Sequence, residues 1–369
     1  MSKWETVRLG DVCSKGSSNI AQKDIENNNG SYGIYGASGY IKDVDFYHQD
    51  KPYIAVVKDG AGIGRTMLLP EKTSVIGTMQ YLIPNELVSV KYLYYAVTHM
   101  NLAKYFTGAT IPHIYFKDYQ KERFSLPPLE TQKQIAENLD KVTRTIDLCN
   151  SILEKFDLLV KARFVEMFGE PDSNPKGWKE FALSEKLDVL GGYAFKSDSF
   201  DEEKGIPVLR IGNVNAGYFR PVNMVYWHED DALERYAIYP GDLVMSLTGT
   251  VGKDDYGNVC ILGNDYDKYY LNQRNAKLEI KEELDKFYLS QLLKFERIKK
   301  RLTGISRGVR QANIANKDIL NLVVPIPPIE LQTQFAAFVE QTDKSKSAVK
   351  QVLEKAETLK KALMQEYFG

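Results

Sequence analysis

Three cysteines in 369 residues, Cys13, Cys149 and Cys260, are too few and too dispersed for a disulfide framework or a zinc cluster. Four histidines (His48, His99, His113, His228) stand apart, without metal-ligand spacing. No run of about 18 apolar residues occurs, so a membrane-spanning helix is excluded, and MSKWETVRLGD carries no apolar signal core. Charge of one sign is missing as well: 48 Lys and Arg stand against 49 Asp and Glu, a net charge of −1. Such a chain does not coat nucleic acid by bulk charge alone. No Walker or dinucleotide glycine pattern, zinc-protease helix, nucleophile elbow or NPPY-like methyltransferase tetrapeptide is present. The 23 tyrosines lack a clustered Arg/His set to activate a phenol, so packing and stacking account for them. The expectation is a soluble, reduced, cytoplasmic chain with no catalytic residue and no metal site. At 43% hydrophobic and 26% charged it folds, and its length suits two to three domains.

What the chain does contain is a duplication. Gly108, Ile114, Lys117, Asp118, Pro127, Pro128, Glu130, Gln132, Gln134 and Ala136 recur 200 residues later without a gap, as Gly308 through Ala336. The register continues through Leu153-Glu154-Lys155 and closes on Phe168-Gly169 against Phe368-Gly369. Upstream, Trp4 answers Trp178 at an offset of 174, so the second copy carries about 26 extra residues before the shared segment. Each copy reads as one complete module, with EPDSNPKG (170–177) linking them.

Each Pro-Pro pair precedes a stretch free of Gly and Pro, 130–168 and 330–368. Proline just before a helix and Glu in its first turn mark the start. About 39 residues give a helix of roughly 58 Å. In the first, the 3,4-spaced positions are Leu139, Val142, Ile146, Cys149, Leu153, Phe156, Val160, Arg163 and Met167. The second offers Val339, Thr342, Lys346, Val349, Leu353, Ala356, Lys360, Leu363 and Tyr367, a seam weakened by two lysines. Buried polar residues can set register and partner choice, which favours the two helices packing on each other. The alternative, in which each helix covers only its own domain, stays open. The divergent parts, 1–129 and 178–329, read as mixed α/β, with β-rich runs at 52–57, 241–247 and 275–280 and aromatic helical stretches at 90–106 and 285–302.

Candidate binding residues lie on loops. Lys58 precedes DGAGIGR (59–65), and TGTVGK (248–253) holds a similar place, so that Gly64-Arg65 answers Gly252-Lys253. A tight turn there brings backbone N–H groups and one cation to a phosphate; a solvated hairpin cation is the alternative. The loop before each Pro-Pro strand changes completely between copies. The first presents Thr107, Thr110 and His113; the second presents Ser306, Arg307, Arg310, Gln311 and Asn313, residue types able to contact guanine or adenine edges. Upstream, Lys294, Arg297, Lys299, Lys300 and Arg301 complete the clearest basic patch, unless they form only a solvated helix face. Asn272, Gln273 and Arg274 form a third, weaker candidate.

The motifs LPPLETQKQI (126–135) and PIPPIELQTQF (325–335), with the 200-residue repeat and the FGEP and YFG ends, resemble the specificity subunit of a type I restriction–modification system over essentially the whole chain. The resemblance implies an α+β architecture: two mixed α/β target recognition domains in pseudo-twofold tandem, 1–129 and 178–329, separated by two long helices, 130–169 and 330–369, that form an antiparallel coiled coil. It implies double-stranded DNA as ligand, read as a bipartite asymmetric site. It also implies two modification (methyltransferase) subunits and restriction (translocase and nuclease) subunits as partners. S-adenosylmethionine, ATP and Mg would belong to those partners, with no cofactor in this chain. A coiled-coil scaffold or inhibitor that mimics such a subunit is the alternative, and the basic patch argues against it.

Overall fold

The run Tyr53–Val57 alternates no polar residue into its pattern, and all five residues are buried. A strand so apolar needs cover on both faces and lies inside a sheet. It does, in a computed structural model that describes residues 4–108, 112–253, 255–304 and 311–369, with Gln311 as backbone only. The chain divides into two compact units, Met1–Ser151 with Val349–Gly369, and Ile152–Ala348.

In the first unit, Tyr53–Val57 pairs with Met79–Pro84 and Thr66–Leu69, and Cys13–Ser17 completes a four-stranded antiparallel sheet. A three-stranded sheet joins Gly39–Val44, Tyr32–Gly36 and Ser74–Val75, the last two parallel. Thr6–Arg8 closes against Arg123–Ser125, just ahead of the prolines.

The second unit repeats this order. Leu187–Gly191, Asn275–Ile280, Leu243–Ser246 and Val259–Ile261 make the four-stranded antiparallel sheet. Val225–Trp227, Ile206–Leu209, Tyr269–Leu271 and Ala237–Ile238 make the mixed one, and Glu180–Ala182 closes against Val323–Pro325. Both repeat offsets appear in the backbone: Leu126 N–H donates to Glu5 O (2.8 Å), and Ile326 N–H to Lys179 O (2.9 Å). The largest share of the extra residues falls between Ile206–Leu209 and Val225–Trp227. In the first unit the matching strands, Tyr32–Gly36 and Gly39–Val44, are joined by a tight turn.

The long helices run Leu129–Phe168 and Ile329–Phe368, 40 residues each. Within the second unit, Lys346 Nζ reaches Asp157 (2.6 Å), Arg163 lies over the Phe338 ring, and Phe164 meets Phe335. Numbers fall on one helix as they rise on the other, so these halves run antiparallel. In the first unit, Ile135, Ala136 and Leu139 share a core with Met364 and Phe368, in the same sense. Every seam position named above is buried or half-buried. Lys346 is tolerated there because Asp157 supplies the opposite charge.

One expectation changes. The copies are not complete modules, because each compact unit closes with the far end of the other copy's helix. Residues 349–369 belong to the first unit, and 152–168 to the second. The linking segment 170–177 is held to the helix end: Lys176 Nζ donates to Glu166 O (2.8 Å) and Met167 O (2.9 Å), a cation at a helix C-terminus, and Trp178 Nε1–H donates to Phe168 O (2.9 Å).

Phe164 anchors the second unit. It is fully buried, stacks on Tyr288 at 5.2 Å, and touches Phe168, Phe295 and Phe335. Phe164→Ala is expected to cost about 3–5 kcal/mol in urea denaturation, since the four rings around it cannot collapse together. A loss below about 1 kcal/mol would show the cluster carries little of the unit's stability.

Candidate nucleic-acid interface

In the second unit a two-stranded ribbon stands apart from both sheets. Thr248–Thr250 pairs with Gln311–Asn313, placing Thr248 opposite Asn313. Asn313 is exposed while Ala312 between the strand ends is buried. Gly249 is required, because a Cβ there would stand 2.3 Å from Asp255 Oδ1. The Asp255 carboxylate accepts from Thr250 N–H (2.8 Å), a bond that holds its pKa below the usual carboxylate range and staples the ribbon's end.

Leu247 ties this ribbon to a second candidate. Its carbonyl accepts from Ile314 N–H (2.9 Å), and its N–H donates to Arg274 O (2.8 Å). Residues 272–274 form the turn between Tyr269–Leu271 and Asn275–Ile280. Asn272 spends its side-chain oxygen on that turn, accepting from Arg274 N–H (3.1 Å). Gln273 and Arg274 are exposed, and half-exposed Tyr193 pairs with Asn272 through a bridge. Lys253, exposed, follows Thr250 in a turn closed by its own N–H. The fold thus gathers Lys253, Gln273, Arg274 and Asn313 from three stretches of sequence. Ser306, Arg307, Arg310 and Thr110 lie outside the described residues, as does the side chain of Gln311.

In the basic helix Glu296–Thr303 the cations have partners within the fold. Lys300 pairs with Glu296 (2.5 Å), and Arg301 donates to Val323 O (2.8 Å). Arg297 pairs with Asp172 (3.1 Å), and buried Lys299 donates to Asn258 Oδ1 (2.8 Å). Each of these cations has a partner within the fold, Lys299 is buried, and Arg297, Lys300 and Arg301 keep their side chains exposed. Their count was readable in sequence, but their partners, mostly remote in the chain, were not.

The first unit holds the same site in another chemistry. Ile114 N–H donates to Lys58 O (3.0 Å), as Ile314 does to Leu247, so Asp59 corresponds to Thr248 and His113 to Asn313. Asp59 hydrogen-bonds His113 Nδ1, and Lys58 Nζ stands 3.9 Å from the same carboxylate. Thr107 and His113 exchange backbone bonds (2.8 and 2.9 Å), and the Tyr115 ring lies 4.2 Å from the imidazole. Lys58, Thr107 and His113 therefore converge around Asp59, a residue the sequence reading missed. Exposed Phe106 and Tyr115 flank them.

Arg65 sits apart, exposed, donating to Ala37 O (3.0 Å). Its expected counterpart was wrong. Val57 bonds Arg65 and Gly64, whereas Ser246 bonds Asn258 and Gly257, so Gly64-Arg65 matches Gly257-Asn258 and not Gly252-Lys253. Both glycines have positive φ, +80° and +69°. At Gly64 a Cβ would meet Ala103 N at 2.4 Å. The second loop is longer, which displaced the textual match.

Burial raises the Cys13 and Cys260 thiols to about 12, leaving them unreactive at neutral pH. Among the described residues no group of His, Cys, Asp and Glu could hold a metal ion, and no helix is long and apolar enough to cross a membrane.

A family model, the type I restriction modification DNA specificity domain, matches residues 1–156 and 175–358. The type I restriction enzyme MjaVIII specificity subunit of Methanocaldococcus jannaschii is 28% identical over 399 residues, covering 98% of this chain and 91% of that one. In fold the chain resembles the type I restriction–modification S subunit from M. genitalium, with TM-score 0.66 at 16% identity, covering 100% of this chain and 96% of the other. It also resembles a chain from a type I restriction–modification system described for its complex assembly, with TM-score 0.50 at 17% identity over 99% and 97% of the two. A match that covers both copies, one after the other, makes the chain a member of the type I restriction–modification specificity subunits, which recognise DNA sequence for their complexes.

Proposed function

We propose that each unit reads one half of a bipartite, asymmetric DNA site through its ribbon and the turn beside it. The observation that carries this reading is a constant frame with exchanged contacts: Asp59 and His113 stand where Thr248 and Asn313 stand. Asn suits an adenine edge, and a carboxylate suits the cytosine amino group. Different residues in equivalent places imply two different half-sites. The long helices set the distance between them.

The chain is non-catalytic in this reading and acts in the cytoplasm. S-adenosylmethionine, ATP and Mg belong to the modification and restriction subunits. Leu159 and Leu359, equivalent in the repeat, are each 48% exposed on their helices, which supports two like docking positions for modification subunits. With a net charge of −1, the chain relies on those subunits for much of the phosphate neutralisation.

The test maps methylated bases in DNA modified by the complex. Asn313→Ala or Arg274→Ala should relax base preference in one half-site, and His113→Ala in the other, each by about 1–3 kcal/mol of discrimination. Equal loss in both halves would contradict the assignment.

A further inference from the structure

The glutamine of the repeated Pro-Pro-x-Glu-x-Gln segment takes no part in the reading surface, yet it makes one set of bonds twice. Gln132 and Gln332 are fully buried. Gln132 Oε1 accepts from Ser89 N–H (2.8 Å), while Nε2 donates to Leu87 O (3.0 Å) and Pro127 O (2.9 Å). Gln332 Oε1 accepts from Asp285 N–H (2.8 Å), and Nε2 donates to Glu283 O (3.2 Å) and Pro327 O (2.7 Å).

Ser89 and Asp285 are the N-caps of the aromatic helices Val90–His99 and Lys286–Leu293. Each of those helices is tied once more to the strand before the prolines, by Tyr92 Oη to Ser125 O (2.6 Å) and Tyr288 Oη to Pro325 O (2.7 Å). One acceptor and two donors are needed at a single buried point, and only a primary amide supplies them there. All six partners are backbone atoms. The joint therefore works whatever side chains the variable parts carry, and Leu87-Val88-Ser89 and Glu283-Leu284-Asp285 share no residue at any of the three places.

We propose that Gln132 and Gln332 are positioning residues for DNA recognition. Each pins a variable domain to the first turn of its own long helix and so fixes the spacing between half-sites that the complex accepts. The proposal rests on the DNA-reading role above. Without the amide, buried backbone groups lose their partners and the domain can rock on its helix, while the reading residues, remote from the joint, stay intact.

The test uses the full chain assembled with modification subunits. The DNA carries both half-sites at the native spacing, or with one base pair more or fewer. Wild type should methylate the native spacing. Gln132→Leu and Gln332→Leu should each raise methylation of the altered spacings relative to the native one by about tenfold. Single-base changes in the half-sites should cost as much as before. Should a leucine variant fail to assemble, Gln332→Glu keeps the volume and the acceptor oxygen but loses both donors, and it should broaden spacing in the same direction. An assembled variant with wild-type spacing preference overturns the proposal. So does broadening accompanied by lost base discrimination, the signature of general loosening. A wild-type complex without any bipartite preference overturns the DNA-reading role and the pin together.

Discussion

Removal of residues 349–369 is expected to unfold the first unit and leave the second folded. The excised segment lies at the far end of the chain from Met1, yet Met364 and Phe368 are buried in the first unit's core, where Phe368 meets Tyr92 at 5.1 Å. Leu363 and Tyr367 pack against the same cluster. The second unit is closed by Val160, Phe164, Phe168 and Phe335, all retained. Losing two large buried side chains, at about 2–5 kcal/mol each, approaches the whole stability of a domain. Hydrogen exchange separates the outcomes. Protection should vanish in Tyr53–Val57 and Val90–His99 and persist in Leu243–Ser246. The reverse pattern is what a second copy complete in itself would give.

That contrast marks where sequence reasoning stops. The long helices were legible because apolar period and the lack of Gly and Pro are local signals. The strand at 53–57 was legible because β-branched and aromatic residues concentrate there, and those at 243–246 and 275–280 because short runs with apolar residues lie between turn-forming residues. Period shows which face is buried, but not by what. Phe164 and Phe168 fall one place past Arg163 and Met167 in the first helix's spacing, and nothing in that spacing says that they are the more deeply buried or that their partners are Tyr288 and Phe335.

Lys346 looked like a defect in the seam until Asp157, at an outward position of the other helix, accounted for it. The charges of 294–301 could be counted, but Asp172 and the Val323 carbonyl, which engage Arg297 and Arg301, lie far along the chain. The ribbon strands are three residues long and the Asp59–His113 pairing is a single bridge, too short for alternation to register, so the pairing of the two glycine-rich segments with the loops before the prolines went unnoticed. The glutamines were visible as letters of a motif, while their role is a tertiary one.

The central claim is that the paired helices set the reach between two different readers. Deleting one heptad from each helix, at facing positions, preserves the seam because the apolar pattern returns every seven residues. It shortens each helix by about 10.5 Å, or about three base pairs at 3.4 Å per step. Methylated-base mapping with the shortened protein in its complex measures the effect directly. Helices that set the reach predict the same two half-site sequences, separated by about three fewer base pairs. The same half-sites at the original separation would contradict it.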